Sequence, residues 1–205
     1  MNDIYYIGGS PCSGKTTIAE RLADDYDLYY FKVDDFLEKY IDRAATLGKP
    51  ICTNVRKMTP EEIWMRNPKI QCREEIEIYL EIFEFVQEDL NKRVKQTNVI
   101  TEGAALLPSL MNQEKVTESN YVNLTPTYEF QVSHYKERPW VPYILEECSD
   151  HKKAFHNWMD RDHLFAIEVQ KQSENLGYPS IVNDGTLSIE ELLKEIKNYF
   201  GLKRK

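Results

Sequence analysis

A three-layer α/β fold is predicted for this 205-residue chain, with a five-stranded parallel sheet covered by helices on both faces. Three observations point to it. The chain opens with a β-branched and aromatic run, Ile4-Tyr5-Tyr6-Ile7, followed by a glycine-bearing loop and then by apolar residues at helical spacing, Ile18, Ala19 and Leu22. Short apolar runs then alternate with helix-period segments to the end of the chain. That order implies right-handed βαβ crossovers and strands buried on both faces. Finally, polar or glycine residues punctuate the carboxyl end of each run, where open α/β sheets hold their ligands.

Strand one is expected at Asp3 to Gly8 and a helix from Gly14 to about Asp24. Strand two, Leu28 to Val33, ends at Asp34-Asp35, and a helix follows from Phe36 toward Leu47, closed by Gly48 and Pro50. Ile51 to Met58 reads as irregular. A helix start follows, because Thr59 can cap, Pro60 suits the first turn and Glu62 completes a capping box. That helix is expected to stop near Asn67-Pro68. From Gln71 to Thr97, Ile76, Leu80, Phe83, Val86, Leu90 and Val94 keep the spacing of one long amphipathic helix. Strand three is Asn98 to Thr101 and ends at Glu102-Gly103. Strand four is Asn120 to Leu124, with Thr125-Pro126 opening the next helix. Pro139 to Cys148 reads as a short mobile element. His151 to Leu176 is helical and closes at Gly177, strand five is Ser180 to Val182, and the last helix, Ile189 to Phe200, is capped by Ser188 with Glu191.

Composition narrows the partners. A single domain spanning 1–205 is long enough for a real core. The net charge of −8 argues against duplex nucleic acid or an anionic membrane surface as partner, and the basic Lys203-Arg204-Lys205 tail reads as a solubility feature. No apolar stretch approaches the roughly 20 residues of a membrane span, and no secretory leader is expected. Four cysteines, Cys12, Cys52, Cys72 and Cys148, are too scattered to pair as metal ligands and read as free thiols, which fits a cytoplasmic location. Cys12 lies near a lysine and a helix start, a setting that can lower a thiol pKa, although a small residue that fits the loop is the simpler reading. The histidines, His134 among them, read as structural or surface residues.

Residues 9 to 16, Gly-Ser-Pro-Cys-Ser-Gly-Lys-Thr, satisfy G-x-x-x-x-G-K-[ST] at every fixed position, directly after a strand and before a helix. The loop residues Gly9, Ser10, Pro11, Cys12, Ser13 and Gly14 then surround one concavity, into which all but Pro11 can turn a backbone N–H, and the helix dipole favours an anion there. Lys15 supplies a cation for the β- and γ-phosphates of a nucleoside triphosphate, and the Thr16 hydroxyl is positioned for Mg²⁺. Glu102, at the end of an apolar strand, is a candidate to hold Mg²⁺ through water or to contact the acceptor. Asp34 is a candidate general base toward an acceptor hydroxyl or an outer-shell magnesium ligand. Asp35 is expected to cap the next helix or orient substrate. Arg138 and Arg161 are candidates to grip the γ-phosphate as a lid closes. Arg56, with Lys57, Trp64, Arg66 and Arg73, is a candidate to recognise an anionic or aromatic acceptor.

GGSPCSGKTT, the VDD after strand two, the ITEG after strand three and the closing VNDGTLSIEELL together resemble the nucleoside-monophosphate-kinase-like branch of the P-loop NTPases. Within it the chain looks like small-molecule kinases such as the chloramphenicol, shikimate and gluconate kinases, and like adenylate kinase. The resemblance implies ATP with Mg²⁺ and a five-stranded parallel sheet. It implies a substrate-binding helical insertion at 48–97, and a lid with its following helices at 126–176. Gly9, Gly14, Lys15, Thr16 and Thr17 would form the donor site, with Asn183, Asp184 and Gly185 passing near the adenine, and Asp34 and Glu102 on the acceptor side. The function expected is transfer of the γ-phosphoryl group of ATP to a small-molecule alcohol. A nucleotide kinase and a nucleotide-dependent switch are the competing readings.

Overall fold

The computed structural model describes residues 2–202; Met1 and the basic tail at 203–205 lie outside it. In chain order the elements are β1 (Ile4–Gly8), α1 (Lys15–Tyr26), β2 (Tyr29–Lys32), a 3₁₀ turn (Val33–Phe36), α2 (Leu37–Thr46), α3 (Pro50–Val55), α4 (Pro60–Trp64) and α5 (Pro68–Val94). They continue with β3 (Val99–Glu102), α6 (Pro108–Gln113), a second 3₁₀ turn (Glu118–Asn120), β4 (Tyr121–Pro126), α7 (Tyr128–Lys136), α8 (Val141–Ile144), α9 (His151–Leu176), β5 (Ser180–Asn183) and α10 (Ile189–Tyr199).

The five strands form one sheet in the order β2-β3-β1-β4-β5, and every pairing is parallel. Alternate residues of each strand face opposite layers. Val99 and Tyr121 join the core under α2, α5 and α9, while Ile7, Ile100, Val122 and Leu124 join the core under α1 and α10. A third, smaller core around Tyr135, Trp158 and Met159 ties α7, α8 and α9 together. The chain leaves β1 toward β2 and β3 on one side, then returns past β1 to β4 and β5. The loop after β1 therefore sits where strand order reverses, the crevice that open α/β sheets use for ligands.

The strands and the capping boxes at Thr59/Glu62 and Ser188/Glu191 match the sequence reading. Five local expectations are refined or corrected. The stretch expected to be irregular contains α3, with Pro50 at its start and the N–H groups of Ile51 and Cys52 bonded to the Glu81 carboxylate at 3.0 and 2.8 Å. That cap comes from 29 and 30 residues away in sequence, so no local pattern announces it. α4 stops at Trp64, short of the expected Asn67, and α5 begins earlier than expected, at Pro68, because the Asn67 side chain caps it by accepting from the Lys69 N–H at 2.9 Å. Its buried stripe holds at Phe83, Val86 and Leu90 and is wider than expected, taking in Tyr79, Ile82 and Phe85, because the helix is pressed between α9 and the α2–α3 side; only Leu80, 47% exposed, falls outside it. β4 runs through Thr125 to Pro126, and the capping residue of α7 is Thr127. The segment at 139–148 forms α8 and packs Val141 and Leu145 into the third core. The short α6 was not foreseen, being too brief to display a period.

Gly9 is a position where both backbone conformation and close packing exclude a side chain. Its φ of 116° lies in the left-handed region, and a Cβ there would stand 2.0 Å from the Leu124 carbonyl oxygen of β4. Gly9→Ala is expected to destabilise the fold by about 3 kcal/mol. Thermal unfolding without nucleotide measures this separately from any loss of binding.

Candidate active site

The loop after β1 folds around its own lysine. Gly14 adopts φ 98° and hands the chain to α1 at Lys15, so the first N–H groups of that helix point into the concavity. The Lys15 Nζ donates to the Ser10 carbonyl at 2.6 Å and to Ser13 Oγ at 3.4 Å, and the residue is 6% exposed. Burial lowers its pKa, opposed by the charges of Glu102 and Asp34. A polyanion entering the loop would restore the preference for the charged form.

Glu102 ends β3 and is buried. Its Oε1 accepts from Thr16 Oγ1 and from the Tyr30 hydroxyl, both at 3.0 Å, which joins the start of α1 to β2 and β3. Burial, followed by the Glu102 charge, raises the Tyr30 pKa well above its ordinary range, so Tyr30 stays a donor. Thr16 and Glu102 together offer the hard oxygen donors that Mg²⁺ prefers. No cluster of three or more His, Cys, Asp or Glu side chains suited to a metal occurs among the described residues. A magnesium ion carried in by a triphosphate needs no such cluster, so the donor set fits.

These groups open onto a cavity of ≈ 570 Å³ lined by Pro11 to Thr17, Lys32, Asp34, Glu102, Phe130, His134, Arg138, Trp140, Asn183 and Ile189. Solvent reaches Asp34, yet the cleft walls around its carboxyl, together with the Glu102 charge, raise its pKa. Arg138 lies 4.8 Å from the Tyr135 ring and 5.4 Å from the Trp140 ring and makes no ion pair among the described residues, so its guanidinium is free for an anion. Asn183 is buried and its Nδ2 donates to the Ser13 carbonyl at 3.0 Å, which pins the loop to β5. Asp184 forms a turn with Thr186, and Gly185 packs against Phe130; neither lines the cavity. Gly9 and Ser10 lie behind the cradle rather than on its wall.

Three of the sequence candidates lie elsewhere. Asp35 points away toward Lys32, 3.8 Å from its ammonium group. Arg56 is held by Glu38 and Asp42 at 2.7 Å each. Arg161 sits in a neighbouring cavity of ≈ 330 Å³ between α2, α4, α5 and α9, paired with Glu75 at 3.1 Å and Asp162 at 2.5 Å and 5.0 Å from the Trp64 ring. The sequence reading missed Phe130, His134 and Trp140. His134 stacks on Phe130 with ring centroids 4.0 Å apart. Their i, i+4 spacing on α7 was the only available signal, and it is common on helices.

No family model matches the sequence. The chain is 27% identical over 204 residues to adenylate kinase of Campylobacter curvus (strain 525.92), covering 96% of this chain and 97% of that protein. In fold it is similar to TT1252 from Thermus thermophilus, with a TM-score of 0.53, 14% identity, and 96% and 97% of the two chains covered. The sheet order, the loop after β1 and a full-length kinase relative agree. The parallel sheet and its phosphate-binding loop fit the fold of the nucleoside-monophosphate-kinase-like P-loop NTPases. The chain is a phosphotransferase, and no helix among its described residues is long and apolar enough to cross a membrane.

Cys12 shows how burial overrides a favourable sequence context in this P-loop kinase. Despite Lys15 and Arg138 nearby, burial pushes its thiol up to about 11. At pH 8, alkylation of Cys12 is expected to run at least ~10-fold slower than that of a small free thiol, accelerating as pH rises toward 11. Peptide mapping after timed labelling measures it.

Proposed function

We propose that this protein transfers the γ-phosphoryl group of ATP to the hydroxyl of a small-molecule alcohol. The observation that carries the reading is Asp34: a carboxylate with a raised pKa, on the wall of the phosphate-loop cavity and three residues before the helix that borders the second cavity. A phosphate acceptor is already anionic and needs no base, whereas an alcohol gains from one.

In this reading the loop amides, Lys15 and Arg138 hold the triphosphate and neutralise charge as it spreads over the transferring group. Thr16 and Glu102 would hold Mg²⁺, and the ion when bound would supply further neutralisation of the phosphate oxygens. Asp34 takes the proton of the acceptor hydroxyl. The acceptor oxygen forms its bond to the γ-phosphorus while the bond to the bridging oxygen breaks, and the electron pair leaves with ADP. Asn183 ties the adenine side to the loop, with the Phe130–His134 pair beside it. Arg161, engaged by two carboxylates, is better read as a structural cation than as a lid finger. Full-length likeness to an adenylate kinase favours the alternative of a nucleotide acceptor.

Lys15→Ala is expected to abolish turnover while unfolding stays cooperative; full activity would refute the donor site. Asp34→Asn should lower kcat by about 10²- to 10⁴-fold with an unchanged Kd for ATP. In the wild type, kcat/KM should fall as pH is lowered through an ionisation above the ordinary Asp range, because only the carboxylate accepts the proton. The Asn variant should lose that limb. Nucleoside monophosphate turnover indifferent to Asp34→Asn would select the nucleotide-kinase reading.

A further inference from the structure

A glutamate carboxylate turns about a terminal torsion that has only a broad preference of its own, so its plane is set from outside. At Glu102 two side chains among the described residues donate to it, and both use the same oxygen. Thr16 Oγ1 and the Tyr30 hydroxyl each stand 3.0 Å from Oε1. Oε2 accepts from neither, while Glu102 lines the phosphate-loop cavity. The neighbouring lysines are committed elsewhere. Lys15 donates to Ser10 and Ser13, and Lys32, the β2 residue in register with Glu102, lies 3.8 Å from Asp35.

The two donors are not equivalent. Thr16 has one hydroxyl for two tasks, giving its proton to Glu102 and offering its oxygen to a cation that enters with a triphosphate. It also stands in the first turn of α1, where the loop meets its ligand. Tyr30 has no second task there. It does not line the cavity, and its ring packs, half-buried, against the core between the sheet and α1. Its backbone is fixed in β2, with Tyr30 in register with Ile100 of β3. A ring rooted in a paired strand brings its hydroxyl to Glu102 from behind the cavity wall. Groups in that place, which orient a ligating side chain without touching the metal, are typically worth about 10- to 100-fold in metal affinity.

We propose that Tyr30 is a positioning residue for the magnesium site: by holding Oε1 of Glu102 it leaves Oε2 as the oxygen that serves the ion or a water on it. The proposal rests on the reading above that Thr16 and Glu102 hold Mg²⁺, and adds the residue that orients the carboxylate. Without the Tyr30 hydroxyl the buried carboxylate keeps Thr16 as its one donor among the described residues. Its plane is then free to turn, and the cost of ordering it falls on metal binding.

The test reads metal affinity rather than turnover. The full chain is saturated with a non-hydrolysable ATP analogue and titrated with Mn²⁺, which takes the same oxygen ligands as Mg²⁺ and is followed by electron paramagnetic resonance. Tyr30→Phe removes only the hydroxyl and is expected to weaken Mn²⁺ binding by about tenfold. Its affinity for the analogue in EDTA, measured by calorimetry, should stay that of the wild type. A hydroxyl that merely supports the fold would lower the thermal midpoint and leave the Mn²⁺ affinity unchanged. Tyr26→Phe is the control, since Tyr26 packs against the same core and its hydroxyl bonds to no described residue. It should leave Mn²⁺ binding as it is. Glu102→Gln should weaken Mn²⁺ binding, and adding Tyr30→Phe to it should cost nothing further, because both changes act through one carboxylate. Should Tyr30→Phe fail to fold, Tyr30→Met fills the space without a donor and gives the same readout. Loss of Mn²⁺ affinity in Glu102→Gln but not in the Tyr30 variant, or an equal loss in Tyr26→Phe, overturns the positioning role and leaves the magnesium reading standing. Unchanged affinity in both Glu102→Gln and the Tyr30 variant overturns both.

Discussion

The buried Glu102 carboxylate is the constraint around which the phosphate-loop end of this molecule is organised. A carboxylate removed from water is costly unless hydrogen-bonded and paired. Here Thr16 and Tyr30 donate to it, and Lys15 stands within reach of its charge. Satisfying that one group aligns the first turn of α1 with the ends of β2 and β3. The same charge helps raise the pKa of Asp34, so one buried acid both positions the loop and tunes a second acid beside it.

A second buried network sets the other half of the site. Arg161 and Asp162 on α9, Glu75 on α5 and Tyr135 on α7 are joined by contacts of 3.1 Å or less, with Trp64 and Trp158 stacked alongside. It links the helical insertion to the lid through the longest helices of the fold. Breaking a buried ion network by removing one member is far more costly than the network's net contribution. Arg161 therefore holds elements together, whereas Arg138 contacts only aromatic rings and makes no ion pair among the described residues.

Much of the donor side was legible in the chain because its information is local. The loop needs glycines at fixed offsets, a lysine and a hydroxyl, and those are adjacent in sequence. Asp34 and Glu102 were legible for a related reason: strand ends are visible as the edges of apolar runs, and parallel sheets gather those ends at one edge. The acceptor side was not legible. Whether Arg56, Arg66 or Arg161 is free or paired depends on Glu38, Glu74 and Glu75, and side-chain pairing between helices leaves no periodic trace. His134 was set aside for want of metal-ligand partners, yet it lines the cavity through its stack on Phe130.

By itself the sequence determined the alternation of strands and helices, the parallel sheet, the triphosphate cradle and the helix starts marked by Thr59 and Ser188. Each of these is a short-range consequence of backbone sterics, side-chain periodicity and capping. Tertiary structure alone decided which arginines are ion-paired, that burial raises the Cys12 thiol, that α3 is a helix capped from α5, and that Gln71 spends its amide nitrogen on the carbonyls of Trp64 and Arg66. Those outcomes turn on burial and on charges brought together from separate elements of the chain, where desolvation and Coulomb interactions, rather than local propensity, set the result.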